Sequence, residues 1–227
     1  MINDVISVKR KLRSKKSRFT KTILKWYATN SHDYPWRKTA DPYKVLVSEL
    51  LLRRTRASNV VGIYDRFIQK FPTVFDLSKS SSKDIENSIR SLGMKSRSNR
   101  IRSISKEIVE NYSGRIPDNE EELLNLVGDT SFYTVNAVLC FGLNKSVPIF
   151  DVNVKRIFER VFSVNFGKDS HKKKQSFELV AVTLPDKNFK QYNWALLDFG
   201  KSVCTSSNPK CSKCPLKAIC DYASKRV

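Results

Sequence analysis

Two histidines, His32 and His171, are all that the 227 residues contain, which excludes most triads and metal sites built on imidazole. No apolar run approaches the roughly 20 residues needed to cross a bilayer. No charged, apolar and small-residue succession opens the chain as a secretory signal. Five cysteines make an odd number; without a signal they point to a reducing compartment and away from a disulfide framework. Acid is scarce at the start: residues 1–25 hold Asp4 alone against Lys9, Arg10, Lys11, Arg13, Lys15, Lys16, Arg18, Lys21 and Lys25. Convincing strand patterns, internal repeats and low-complexity linkers are lacking too.

What is present belongs to a folded, basic protein. Hydrophobic residues make up 40% and aromatics 11%, enough for a core in one large domain or two small ones. The formal net charge is +20 and the sequence pI about 9.9. A chain this basic usually meets a polyanion, nucleic acid first. Residues 1–18 read as a solvated basic arm, and Phe19, Ile23, Leu24 and Tyr27 mark the first amphipathic helix.

Helical periodicity runs through the rest, and the fold class expected is all-α. Asp41-Pro42 is an N-cap with proline at the first helical position. The helix it opens, PYKVLVSELLLRRT, is apolar nearly all round and should be buried, which makes Glu49 conspicuous. Arg53 stands four residues on, so Glu49 is either an ordinary helical ion pair or a buried carboxyl suited to general acid work. Further helices are predicted at 59–71, 82–92 ended by Gly93, and 101–112. Pro117-Asp118 should open another, with Glu121 completing a capping box. Helices at 172–184 and 189–203 follow. After the helix at Pro117-Asp118 and before these two, a turn at 126–131 precedes a stripe at Val135, Val138, Leu139 and Phe141. Pro148 interrupts that stripe, and Asp151 stands before the helical face of Val154, Ile157, Phe158 and Val161. Asp151 has the position of a simple N-cap.

Cys204, Cys211, Cys214 and Cys220 fall within 17 residues, spaced C-x6-C-x2-C-x5-C. Structural zinc commonly uses two separated close pairs, whereas one close pair flanked by single cysteines favours a [4Fe–4S] cluster. Zinc and unligated thiols remain the alternatives on spacing. Cys140, alone on an apolar face, reads as a core residue.

Together these pieces resemble the helix-hairpin-helix base-excision DNA glycosylases, the superfamily of endonuclease III. The likeness covers nearly all of residues 20–222 and is carried by YPWRKTADPYKVLVSELLLRRT, FPTV at 71–74, VPIFDVNVKRIFERVF, and LLDFGKSVC with the cysteine quartet. Within the superfamily the chain looks closest to thymine–guanine and adenine mismatch glycosylases. The resemblance implies a two-lobed fold, a six-helix lobe plus an iron–sulfur cluster lobe. Its segments would be a basic arm at 1–18, a helix at 19–40 joining the cluster lobe, a six-helix lobe at 41–147 with the hairpin, and the cluster lobe at 148–227. It implies a [4Fe–4S] cluster on the four cysteines, Asp151 as catalytic carboxylate and Glu49 as the second carboxylate.

Bifunctional members place a lysine where Tyr133 stands here; a phenol forms no imine, so lyase chemistry by that route is excluded and a monofunctional hydrolase is expected. Tyr133 together with ELLLRRT is similar to the thymine–guanine enzymes. Adenine enzymes typically have two glutamines at Arg53 and Arg54, and a further domain that would lie beyond Val227. Thymine or uracil opposite guanine is therefore the expected substrate. Adenine or a modified cytosine is the alternative, and a non-catalytic iron–sulfur DNA-binding protein is the rival class. Arg53, Arg54, Arg97, Gly128 and Lys155 are the candidate DNA contacts. The family hairpin L-P-G-V-G departs here, with Val127 in place of proline, no second glycine and Asp129 in the turn, which predicts a weaker phosphate grip at that turn. The partner expected is double-stranded DNA with a mispaired or modified base, met by a monomer in the cytoplasm, at the nucleoid, with no membrane involved.

Overall fold

A computed structural model describes residues 5–93, 96–126 and 132–224. Every regular element among them is helical, as the periodicity requires. By contacts the chain divides into two compact units, one formed by Met1–His32 with Ser146–Val227 and the other by Asp33–Lys145.

The first unit holds α1 (Val5–Asn30), α9 (Val152–Phe162), α10 (Lys174–Ala181), α11 (Phe189–Ser202) and α12 (Asp221–Ser224). Helix α1 begins at Val5, so most of the stretch expected to be a solvated arm is helix. The reason lies in its residues: no proline or glycine interrupts them, and Lys and Arg are good helix formers. Leu12 also extends the stripe of Phe19 and Ile23 by two turns, and all three are fully buried. Phe19 anchors the packing, with its ring 4.9 Å from Phe162, 5.7 Å from Phe158 and 6.3 Å from Tyr192. Burying one such side chain contributes about 2–3 kcal/mol. The Tyr192 hydroxyl pairs with Thr183 Oγ1 at 2.7 Å, and Thr20 donates to the Thr183 carbonyl, so the polar atoms of this core are satisfied.

A second tie fixes the other end of α1. Asp221 accepts from Lys11, Lys15 and Ser163, while Lys15 also donates to the Ile219 carbonyl at 2.8 Å. Burial works against the Asp221 carboxylate, but the two ammonium groups and the hydroxyl outweigh it and hold its pKa down at about 2.

The second unit holds α2 (Pro42–Leu52), α3 (Ala57–Lys70), α4 (Val74–Lys79), α5 (Ser82–Ser88), α6 (Ser96–Tyr112), α7 (Glu120–Asn125) and α8 (Phe132–Ala137). Asp41 caps α2, accepting from Tyr43 N and Lys44 N, and α2 is buried from Tyr43 to Leu51 with the exception of Lys44, as its apolar perimeter demands. Helix α4 escapes a periodicity search because it is short; Thr73 and Asp76 close a capping box at its start. The helix expected to open at Pro117-Asp118 starts later, and the cap is Asn119, accepting from Glu122 N at 2.8 Å. That register sets Glu120, Glu121 and Glu122 in the first turn, where carboxylates complement the helix dipole. The helix expected at 82–92 ends at Ser88, continues as a 3-10 turn over Arg90–Leu92, and stops at Gly93 with φ 69°.

Helix α8 widens into a π-helical turn over Val138–Gly142, closed by Leu143 N to Val138 O. Gly142 there meets the start of α2 so closely that a Cβ would lie 2.7 Å from Pro42 Cα, and only glycine permits this approach.

Candidate active site and nucleic-acid interface

Asp151 caps α9 from an extended backbone, φ −127° and ψ −174°. Its Oδ1 accepts from Asn153 N at 2.9 Å and Val154 N at 2.8 Å, and Oδ2 accepts from Asn153 Nδ2 at 2.6 Å. Three donors thus fix the carboxylate in one orientation at the positive end of the helix. The strap leading into it is held as firmly. Ile149 N donates to Asn193 Oδ1, and Asn193 Nδ2 donates to the Val147 carbonyl. Phe150 is buried against Phe166 and Phe177. Beside this pinned aspartate Val152 is 70% exposed, so solvent or a ligand reaches the helix start.

The far side of the same turn is a close approach. Gly200 of α11 lies against Asn153, where a Cβ would meet Asn153 Cβ at 2.5 Å. Arg156 braces the contact, donating to Asn153 Oδ1, to the Gly200 carbonyl and to the Cys204 carbonyl at 2.7–2.8 Å. One turn on, Arg160 donates to the carbonyls of Thr205 and Ser206, its guanidinium 4.8 Å from the Tyr222 ring centroid. Helix α9 therefore carries Asp151 at its start and two arginines that grip the cysteine-bearing loop. Sequence reasoning missed Asn193, Asn153, Arg156 and Arg160. Asn193, a polar residue beside the core positions Tyr192, Ala195 and Leu196 of α11, was the one signal available for them.

Cys204, Cys211, Cys214 and Cys220 all line one small pocket with Val161, Phe199 and Leu216. Burial pushes the Cys214 thiol up to about 11 and raises Cys220 as well, and the neighbouring cysteines add to both. Four sulfurs near enough to disfavour one another's charge, in a place that disfavours charge, fit a cationic centre between them. Arg160 Nη1 also approaches Cys204 Sγ at 3.5 Å, the kind of donor that orients a ligating sulfur. Among the described residues no three His, Cys, Asp or Glu side chains are already drawn to metal-ligand geometry.

In the other unit Glu49 is 6% exposed on α2. At the end of that helix Arg53 has φ −54° and ψ 117°, Arg54 has φ 53°, and Thr55 N donates to Leu52 O at 3.0 Å. These values describe a type II turn whose third position, one that favours glycine, is an arginine. Arg97 props it: its guanidinium is buried and donates to Leu51 O and Arg53 O, both at 2.7 Å, and to Thr55 Oγ1 at 2.9 Å. Desolvation, with the Arg53 charge, lowers the pKa of Arg97. Arg97, one of the expected DNA contacts, holds by these bonds the turn that carries Arg53 and Arg54, which are both exposed. A cavity of about 310 Å³ is lined by Arg53, Arg54, Ser96, Arg97 and Arg100. Lys155 spends its ammonium on the Gly167 carbonyl at 2.7 Å. Tyr133 lies half-buried at the start of α8, and Gly128 lies outside the described residues.

Residues 47–181 match the family described as HhH-GPD superfamily base excision DNA repair protein, and the chain belongs to that superfamily. It is 32% identical over 225 residues to a thymine/uracil-DNA glycosylase of Methanothermobacter thermautotrophicus, covering 99% of both chains. An adenine DNA glycosylase of Buchnera aphidicola subsp. Baizongia pistaciae is 34% identical over 203 residues, covering 89% of this chain and 57% of that protein. The solved structure of a thermostable thymine-DNA glycosylase superposes with TM-score 0.88 at 33% identity, over 93% of this chain and 98% of that one.

Proposed function

We propose that this chain is a monofunctional DNA glycosylase that hydrolyses the N-glycosidic bond of thymine or uracil mispaired with guanine. The observation that carries the reading is Asp151: three protein donors aim one carboxylate at the start of α9. Likeness over the full length to a thymine/uracil-DNA glycosylase supports the choice of base.

Extruding a base from a duplex costs a few kcal/mol, least for a mispair. Cleavage then builds positive charge on the sugar, which the Asp151 carboxylate offsets while orienting the attacking water. Glu49 donates a hydrogen bond or proton to the departing base, and Tyr133 lines its pocket. Because Tyr133 offers no amine, the product is an abasic site in an intact strand. Arg53 and Arg54 hold the DNA opened by extrusion, with Arg97 fixing their turn. Cys204, Cys211, Cys214 and Cys220 would hold a [4Fe–4S] cluster, which would cross-link the loop that Arg156 and Arg160 grip. A monomer meets one duplex.

The test is release of each base from duplexes carrying T·G, U·G, A·G and A opposite oxidised guanine, with strand breakage scored separately. Release of thymine and uracil opposite guanine without breakage is expected. Faster release of adenine would overturn the choice of base, and breakage with a borohydride-trappable adduct would overturn the hydrolytic assignment.

A further inference from the structure

Helix α1 holds no Asp or Glu in its 26 residues, and apart from the half-buried Lys9 and Lys16 its cations fall into two groups. Lys11 and Lys15 are bound to Asp221. Arg10, Arg13, Arg18, Lys21 and Lys25 are all exposed. At 100° per residue Arg10, Lys21 and Lys25 fall on the face opposite Leu12, Phe19 and Ile23, with Arg13 and Arg18 on its two flanks. The stripe is continuous from Arg10 to Lys25, about 22 Å at 1.5 Å per residue. Like charges three and four residues apart, as at Arg10 and Arg13 or Lys21 and Lys25, each destabilise the helix by a few tenths of a kcal/mol. A rod of phosphates would reverse the sign of that interaction.

The place of the stripe separates it from the reacting nucleotide. The apolar face of α1 seats on α11 and, through Phe19, on α9, at whose start Asp151 lies. The stripe faces away from α9, one helix diameter of about 10 Å further out.

We infer that the outward face of α1 is a second duplex-DNA surface, in which Arg10, Arg13, Arg18, Lys21 and Lys25 grip the phosphates of duplex other than the nucleotide under attack. This rests on the base-excision reading for the identity of the polyanion, but not on any excision step. The stripe is long enough to meet about three to five phosphates as a strand crosses it, one phosphate lying every ~3.4 Å of axis per strand.

The test is binding of an unmodified duplex of about 40 base pairs by the full chain across a salt series, so that it is read whether or not a base is released. Replacing all five residues by glutamine, which keeps helix propensity, should flatten the slope of log affinity against log salt by about 3 to 4, at ~0.9 per phosphate. A control variant carries Lys79→Gln, Lys83→Gln, Arg90→Gln, Lys168→Gln and Lys187→Gln, all exposed positions and the same net charge. It should keep the wild-type slope. If the five-site variant loses helix content, Arg10→Gln/Arg13→Gln alone should still flatten the slope by about 1 to 2. An unchanged slope, or equal flattening by the control, overturns the inference. So does tighter binding of an RNA duplex than of DNA through the same five residues.

Discussion

Arg97→Met removes the guanidinium that closes the end of α2 while keeping much of its apolar volume. Three hydrogen bonds go with it, to Leu51 O, Arg53 O and Thr55 Oγ1. Bonds from a charged donor contribute about 1.5–3 kcal/mol each at most. The Leu51 carbonyl sits at the buried end of the contact and loses its partner for about 1–3 kcal/mol, whereas water can replace the donor at the part-buried Arg53 carbonyl. Against this stands relief: burial and the Arg53 charge already oppose the cation, as its lowered pKa records. The net expectation is a destabilisation of about 2–4 kcal/mol, which for a chain of this size lowers Tm by about 5–12 °C. Arg97→Lys restores one donor and should recover about half. The assay is thermal unfolding by circular dichroism with duplex affinity measured in parallel, because a loosened turn also misplaces Arg53 and Arg54. A change below about 0.5 kcal/mol with affinity intact would refute the view that Arg97 props the turn.

Arg54→Gly should separate stability from function. Arg54 sits at φ 53°, a conformation that costs a side-chain-bearing residue about 1 kcal/mol, so the glycine variant should unfold about 1 kcal/mol later while binding duplex more weakly. Cys214→Ser should strip iron and sulfide from purified protein and lower its melting temperature, read by metal analysis and visible absorption. Iron content equal to wild type would remove Cys214 from the ligand set. Asn193→Leu leaves Ile149 N and Val147 O without partners at about 1–3 kcal/mol each, so unfolding should come earlier and base release should slow because the strap before Asp151 is freed.

Much of this was legible in the chain itself. Asp41-Pro42 and Asp151 announce their helices because a cap is a local contract between one side chain and the next three backbone N–H groups. The buried perimeter of α2 follows from apolar residues on every side, and the thiol quartet follows from spacing. The partners of Arg97 were not legible, because a lone arginine at a helix start carries no mark of where its fork will land; its acceptors, Leu51 and Arg53, are more than forty residues away in sequence. Asn193 escaped for the same reason. The extent of α1 was underestimated because its first turns look solvated by composition, and only Leu12 and the Lys15–Asp221 tie, a contact between opposite ends of the chain, bring them onto the fold.

Single-turnover base release by Asp151→Asn tests the central claim most directly. Asparagine keeps an oxygen for Asn153 N and Val154 N but sets an amide against Asn153 Nδ2, which Oδ2 now accepts at 2.6 Å. A stability loss of about 1 kcal/mol is therefore expected, with fold and duplex affinity retained. Release of thymine or uracil from a G mispair should fall by at least about 10²- to 10³-fold, as for loss of one preorganised electrostatic group. Release at the wild-type rate by folded, DNA-bound Asp151→Asn would contradict the assignment of Asp151 as the carboxylate that cleaves the bond.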